Sequence, residues 1–372
     1  MYQKGRAWVE LNRHHLAHNL EQFKKILSIE CEIMPAIKAN AYGHGAVLVA
    51  KMLQDLGIES FCVASVDEAI ELREAGILGQ ILILSYTSPY RFSELRRYSL
   101  TQTVVDCSYA EELNDYGENV EVHIGVDTGM HRLGERSDNI ENICKIWECD
   151  HLNITGVFSH LCVSDGNSET EREFTLKQIS EFNSVVTALH KRGICGFKTH
   201  IQGSYGILNY PFLRFDYARP GIALYGAFST PHDRLLCEVE LKPVLSLKAR
   251  VECVKRLYAG EAAGYGLTYT AKREMKIAAV SIGYADGIPR ELSNKGFVLV
   301  NGQKAAMIGR ICMDQLLIDV SEVSGVSPGD EVVFIGKSGG HEILASDFAY
   351  HANTISNEIL SRLGNRLERV LI

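Results

Sequence analysis

The feature that most constrains this chain is an alternation that begins near Glu32. Short apolar runs recur at 32–39, 60–64, 80–84, 102–105, 120–126, 153–159, 199–202 and 221–225. Each reads as a parallel strand buried on both faces. Amphipathic stretches separate most of them, at 45–56, 66–75, 139–148 and 171–191. Gly57, Gly76 and Gly193 follow three of these stretches as helix stops. Eight strand–helix units in about 200 residues predict a (β/α)8 barrel. Counting strands does not prove closure, so a doubly wound open sheet is the alternative.

The pattern changes near Pro243. Segments such as "VLSLKARVECVKRLYAG" and "FVLVNGQKAAMIGRICMDQLLIDV" are strand-rich and broken by glycines. Only two helices are expected there, near 345–351 and 355–363. This predicts a smaller, mainly antiparallel β domain at the C-terminal end.

Composition narrows the function. Of 372 residues, 46% are hydrophobic and 23% charged, as in a globular protein with a substantial core. The net charge of −8 argues against a general nucleic-acid binder, so no nucleic acid is expected as partner. Ten cysteines are scattered without a CxxC pair and read as buried thiols of a reduced, cytoplasmic protein. Residues 1–10 are mixed and polar, unlike a secretory leader. No apolar run approaches the ~20 residues that span a bilayer. No membrane contact is expected from the chain itself, and no metal.

Barrel chemistry gathers at the carboxyl ends of the strands. Lys38 in "MPAIKANAYGHG" is expected at the end of the first one. A lysine there ordinarily snorkels to solvent or pairs with a carboxylate. The sharper reading is an amine held in a pocket with a lowered pKa, forming a Schiff base with an aldehyde cofactor. A phosphorylated cofactor needs donors. Tyr42 and the glycine-rich turn supply some, as do Ser204 in "HIQGSYG" and the bare backbone of Gly221 and Ile222 in "RFDYARPGIALYG". Singly, Ser204 and Gly221 read as turn residues.

The segments "AIKANAYGHG", "VDTGMHRLG", "ARPGIALYG", "GYGLTY", "GYADG" and "GRICMDQ", in this order, resemble the signature segments of alanine racemases. The resemblance covers nearly the whole chain and implies an amino-acid racemase that uses pyridoxal 5'-phosphate. It implies that Lys38 carries the cofactor and is the base on the D side, with Tyr265 the base on the L side. A phenol has an ordinary pKa near 10 and needs help to act as a base. His160 and Arg219 match positions that relay hydrogen bonds behind that tyrosine, and Arg219 faces the pyridine nitrogen. An arginine there leaves the nitrogen without a proton and weakens the ring as an electron sink. Arg132 and the backbone of Met313 match the substrate-carboxylate site, and Tyr284 lines the entrance. Arg132 also fits a surface ion pair with Asp127 or Glu135. The family implies that Tyr265 and Met313 come from a second subunit, hence a homodimer with shared sites. The expected division is a strand within 1–11 that joins the C-terminal β domain, a barrel over 12–240 and the β domain over 241–372.

Three positions depart from the family. Gly125 replaces a lysine present in many members, which in some is carbamylated and holds the substrate arginine. Gly203 replaces an asparagine. Asn357, in "TISNE", replaces a tyrosine that touches phosphate and substrate side-chain space. The last departure resembles the serine racemases of vancomycin-resistance systems, in which the racemase follows a membrane-embedded domain. The expected activity is thus interconversion of L- and D-serine, and of L- and D-alanine, for peptidoglycan precursors. The alternatives are a housekeeping alanine racemase and a non-catalytic pyridoxal phosphate carrier. The β domain bearing Tyr265 argues against the carrier, which needs only a barrel.

Overall fold

The computed structural model describes residues 5–372, so residues 1–4 of the expected first segment lie outside the described residues. Eight parallel strands form the larger domain: Glu32–Ile33, Ser60–Val63, Gln80–Ile83, Thr101–Val104, Val120–Asp127, Leu152–Phe158, Lys198–His200 and Tyr217–Ala218. Neighbours in sequence pair in parallel from the second strand to the eighth, and the eighth pairs with the first. A bridge between Ala36 and Cys62 completes the ring. The open doubly wound sheet is therefore excluded, and the domain is a (β/α)8 barrel.

Alternation along each strand separates two layers. Phe61, Val63, Ile81 and Ile83 face the surrounding helices, whereas Cys62 and Leu82 face the lumen with Met34, Ala36 and Tyr217. The helices include Ala46–Asp55, Val66–Glu74, Ile140–Lys145 and Glu169–Lys191. Ser168 and Glu171 form a capping box that fixes where the longest of them starts.

Two expected strands differ from what the sequence indicated. The run at 32–39 pairs only over Glu32–Ile33 and again at Ala36, because Pro35 interrupts the ladder. Lys38 consequently lies beyond the sheet, at the start of a turn. The run at 221–225 is not a strand: the eighth strand is Tyr217–Ala218, and Ile222–Tyr225 is a 3₁₀ turn. Pro220 has no N–H to continue the ladder, although its carbonyl accepts from Ala36 N at 2.9 Å.

The second domain is a nine-stranded, mainly antiparallel sheet. Its order is His341–Ile343, Glu331–Ser338, Phe297–Val300, Gln303–Ile308, Leu316–Asp319, Met275–Val280, Leu245–Leu257, Ala7–Leu11 and Glu368–Leu371. Ala7–Leu11 pairs antiparallel with Leu245–Leu257 and in parallel with Glu368–Leu371. The core includes Val9, Leu247, Val298, Ile318 and Phe334.

The helices Ala345–His351 and Ser356–Ser361 join this sheet to the barrel. A Cβ on Gly43 would stand 1.9 Å from the Leu360 carbonyl oxygen, so only glycine admits the contact. Arg369 donates to the Gly43 carbonyl at 3.0 Å. These contacts hold the end of helix Ser356–Ser361 against the barrel, and Ser356 N, at its start, donates to Ser229 O at 2.9 Å. No helix among the described residues is long and apolar enough to cross a membrane.

Candidate active site

A cavity of about 410 Å³ opens at the carboxyl ends of the barrel strands, lined by Lys38, Arg132, His160, Arg219 and Asn357 among others. Lys38 reaches it through an unusual backbone. Ala39, Asn40, Ala41 and Tyr42 all have φ between 51° and 54°. Left-handed conformation costs non-glycine residues roughly 1–2 kcal/mol each, so the fold must hold this turn. Glu68 does so from the next unit, accepting from Ala39 N at 2.6 Å and Ala64 N at 2.7 Å. Asn40 Oδ1 accepts from Ala46 N at 2.7 Å and ties the turn to the following helix. Burial lowers the pKa of the Lys38 ammonium, and the charges of Arg132 and Arg219 add to that, opposed by Cys62 and Glu68.

One wall of the cavity is a cradle of donors. Ser204 Oγ accepts from Gly221 N at 2.9 Å and from Ala223 N at 3.2 Å. With both acceptor positions engaged, its O–H is left to donate. This alters the expectation for Gly221, whose N–H is already used. The Ile222 N–H between them donates to no described residue. Tyr42 completes the cradle: a Cβ on Gly221 would stand 2.6 Å from its hydroxyl. Burial pushes the Tyr42 phenol well up, which keeps it a donor. Three donors around a Cβ-free floor fit a phosphate group. Together with the partly desolvated amine of Lys38 they fit pyridoxal 5'-phosphate.

Arg219, which also lines the cavity, is only 5% exposed. Its Nη1 bonds His200 Nδ1, and its Nη2 donates to Ser159 O at 2.7 Å and lies 3.5 Å from His160 Nδ1. Burial lowers Arg219 to about 10, so it remains a cation at neutral pH. Burial, then the Arg219 charge, lowers His160 to about 3 and leaves it neutral. The closest imidazole to Arg219 is thus His200, which the sequence reading did not single out. His200 Nε2 in turn meets His123 Nδ1 at 2.9 Å. His160 reaches Arg219, but no hydrogen bond joins it to Tyr265 within the chain.

Arg132 lines the cavity and makes neither ion pair considered for it. Asp127 instead binds His131 Nδ1 at 2.8 Å and the backbone of Gly129 and His131. No described residue accepts from the Arg132 guanidinium. At Gly125 a Cβ would meet Val104 O at 3.3 Å and Gly134 Cα at 3.4 Å, a tight fit. A Cβ at Gly203 would meet only His160, at 3.5 Å, and nothing in the structure explains that glycine.

Asn357 stands at the cavity edge, where Ser229 Oγ donates to its Oδ1 at 3.0 Å. Ser229 also lines the cavity and was not anticipated; nothing in "GAFSTP" signals it.

Tyr265, Met313 and Tyr284 are elsewhere. They are 69%, 52% and 42% exposed on the second domain and do not line the cavity. Tyr265 projects from a turn between Gly264 and Gly266. Met313 and Tyr284 share a rigid corner, with Tyr284 N bonded to Cys312 O and Ala285 N to Met313 O, both at 3.0 Å. The Met313 N–H donates to no described residue. A single chain therefore collects Lys38, Tyr42, His160, Ser204, Arg219, Gly221, Ile222, Arg132 and Asn357, and leaves these three outside.

Comparison with known proteins adds a lineage. Residues 11–229 match the family model for the N-terminal domain of alanine racemase, and residues 244–371 match that for its C-terminal domain. A serine/alanine racemase of Enterococcus gallinarum is 42% identical over 97% of the chain. The chain spans about half of that relative, 51% of its length. An alanine racemase of Carboxydothermus hydrogenoformans is 41% identical over 98% of the chain and 99% of its own length. The solved alanine racemase of Bacillus anthracis with bound L-Ala-P superposes with a TM-score of 0.93 at 32% identity, over the whole chain and 96% of that structure.

Proposed function

Because the chain belongs to the alanine racemase family, which is pyridoxal phosphate-dependent, we propose that it interconverts the enantiomers of serine and alanine. The observation that carries this reading is a half-buried amine, Lys38, sharing one cavity with a phosphate cradle and with the Asn357 amide at its edge.

The bound cofactor supplies an aldehyde that joins the amino-acid nitrogen and a ring that spreads the charge left when the α-proton departs. The residues supply the rest. The phosphate is held by Tyr42, Ser204 and the Ile222 N–H. Arg219, locked by His200 and Ser159 O, presents a donor to the pyridine nitrogen and has no proton to lend it. Arg132 and the Met313 N–H bind the substrate carboxylate. Lys38 Nζ moves the proton on the D face. The L face needs a second base, and Tyr265 Oη provides it from a second copy of the chain. Tyr284 of that copy then borders the entrance. This reading takes a homodimer with two shared sites; the absence of Tyr265 and Met313 from the cavity of one chain supports it.

Asn357 supports serine. The amide is shorter than a tyrosine and bonds a substrate hydroxyl, and a site built for a hydroxyl discriminates more strongly than added space does. Such an enzyme supplies D-serine for peptidoglycan precursors of the kind used in vancomycin resistance, working at the cytoplasmic side, alone or as half of a membrane-anchored protein. Full-length similarity to the Carboxydothermus enzyme favours a second reading, a housekeeping alanine racemase. Chirally resolved turnover of L-Ser and L-Ala side by side decides between them. The serine reading expects L-Ser to be turned over at least comparably with L-Ala, and an enzyme that ignores L-Ser leaves only the alanine reading.

A further inference from the structure

Asn357 carries the specificity argued above, yet an amide has two unlike ends. Which end faces the cavity decides whether it offers donors or an acceptor. In the structure a residue of the loop after the barrel engages one of those ends. Ser229 Oγ donates to Asn357 Oδ1 at 3.0 Å. No described residue accepts from Asn357 Nδ2, and Asn357 lines the cavity. The free end of the amide is therefore its pair of N–H donors.

Ser229 is itself held on both sides. Its N–H donates to the Tyr205 hydroxyl oxygen at 2.7 Å, and its carbonyl accepts from Ser356 N at 2.9 Å. The Tyr205 hydroxyl in turn donates to Asp233 Oδ2, which also takes the Thr230 N–H at 3.2 Å. Asp233, Tyr205, Ser229 and Asn357 thus form one chain of hydrogen bonds from a loop after the barrel to the first turn of helix Ser356–Ser361. The Ser229 backbone is pinned between the two domains, and its hydroxyl is left one task.

We propose that Ser229 is a positioning residue for substrate choice: it occupies the Asn357 carbonyl so that the amide N–H groups point at the β-oxygen of serine. Alanine offers only a methyl group there and leaves those donors unpaired. The proposal rests on the serine reading and adds to it the polarity of the recognition. The substrate atom it selects is an acceptor on Cβ.

The test compares kcat/KM for L-Ser and L-Ala in the unchanged enzyme and in Ser229→Ala, Ser229→Thr and Asn357→Ala, each as cofactor-loaded enzyme. Ser229→Ala is expected to lower the L-Ser to L-Ala ratio by about five- to tenfold, the worth of one net hydrogen bond, mostly through KM for L-Ser. Turnover of L-Ala and cofactor absorbance report folding in the same samples. Ser229→Thr keeps a hydroxyl and is expected to restore most of the ratio. If Asn357→Ala abolishes the preference while Ser229→Ala leaves it intact, the positioning role is overturned and the serine reading survives. A Thr variant that behaves like Ala also overturns it. An unchanged enzyme that does not racemise L-Ser overturns both.

Discussion

The barrel cavity and the exposed face of the second domain place reactive residues in opposite ways. In the cavity, Arg219 is buried and Lys38 half-buried, and the pKa of each is lowered chiefly by desolvation and in part by neighbours from the same chain. Their backbone is held by specific bonds, as Glu68 holds the left-handed turn after Lys38. On the second domain, Tyr265 and Met313 are exposed. On the function proposed above, the barrel side is prepared by its own chain, whereas the other side is completed only by burial against something else. On this account that something is a second copy of the barrel mouth, and the two regions are halves of one site.

The comparison breaks most readily at Lys38. Lys38→Ala removes both the attachment point and a base, and turnover is expected to fall by at least about a thousandfold. Loss of the cofactor absorbance, and of the label after borohydride reduction and peptide mapping, accompanies it. Label on another lysine would remove Lys38 from its role. Tyr265→Phe tests the other half. Abstraction of the α-proton from the L-enantiomer is expected to fall by about 10²- to 10⁴-fold, with exchange from the D-enantiomer much less affected. Equal losses in both directions would break the division of faces.

Arg219→Glu sharpens the electronic side of the same contrast. A carboxylate lets the ring nitrogen hold a proton, so racemisation is expected to drop while a transamination product accumulates. Absence of that product, with cofactor still bound, would remove the role given to Arg219.

Stability is expected to follow the buried half as well. Burial holds His44 at about 4 and both His123 and His160 at about 3, and lowers His200 as well. Between those values and the ordinary 6.5, the unfolded chain binds protons that the folded chain does not. Stability therefore falls as pH drops below 6.5, by up to ~1.4 kcal/mol per pH unit for each such histidine. Urea midpoints of the cofactor-loaded enzyme measured from pH 7 to pH 5 check this, and a flat profile would contradict it. The smallest effect is on substrate choice. Asn357→Tyr is expected to lower kcat/KM for L-Ser by about tenfold while sparing L-Ala; equal losses would remove Asn357 as the selective element.

Much of this architecture is legible in the order of apolar and amphipathic segments. The barrel follows from eight repeats of the strand–helix pattern, and the change of pattern near Pro243 marks where it ends. The errors have local causes. Pro35 and Pro220 interrupt apolar runs that otherwise read as continuous strand. Apolarity continued at 221–225 because the 3₁₀ turn is buried, not because it pairs. The cradle residues are visible as glycines and hydroxyls, but their hydrogen bonds are not. His123 and His200 were missed because an inward-facing histidine in a strand carries no distinguishing spacing. Ser229 was missed because a serine in a loop gains its meaning only from what folds against it.

The claim that the two regions complete one site is tested most directly by mixing two inactive variants. Lys38→Ala chains retain Tyr265, and Tyr265→Ala chains retain Lys38. After subunit exchange, half of the dimers in an equal mixture are mixed, and each mixed dimer has one intact site. The account predicts recovery of about a quarter of the unchanged activity. No recovery, with exchange demonstrated independently, would mean that each chain works alone.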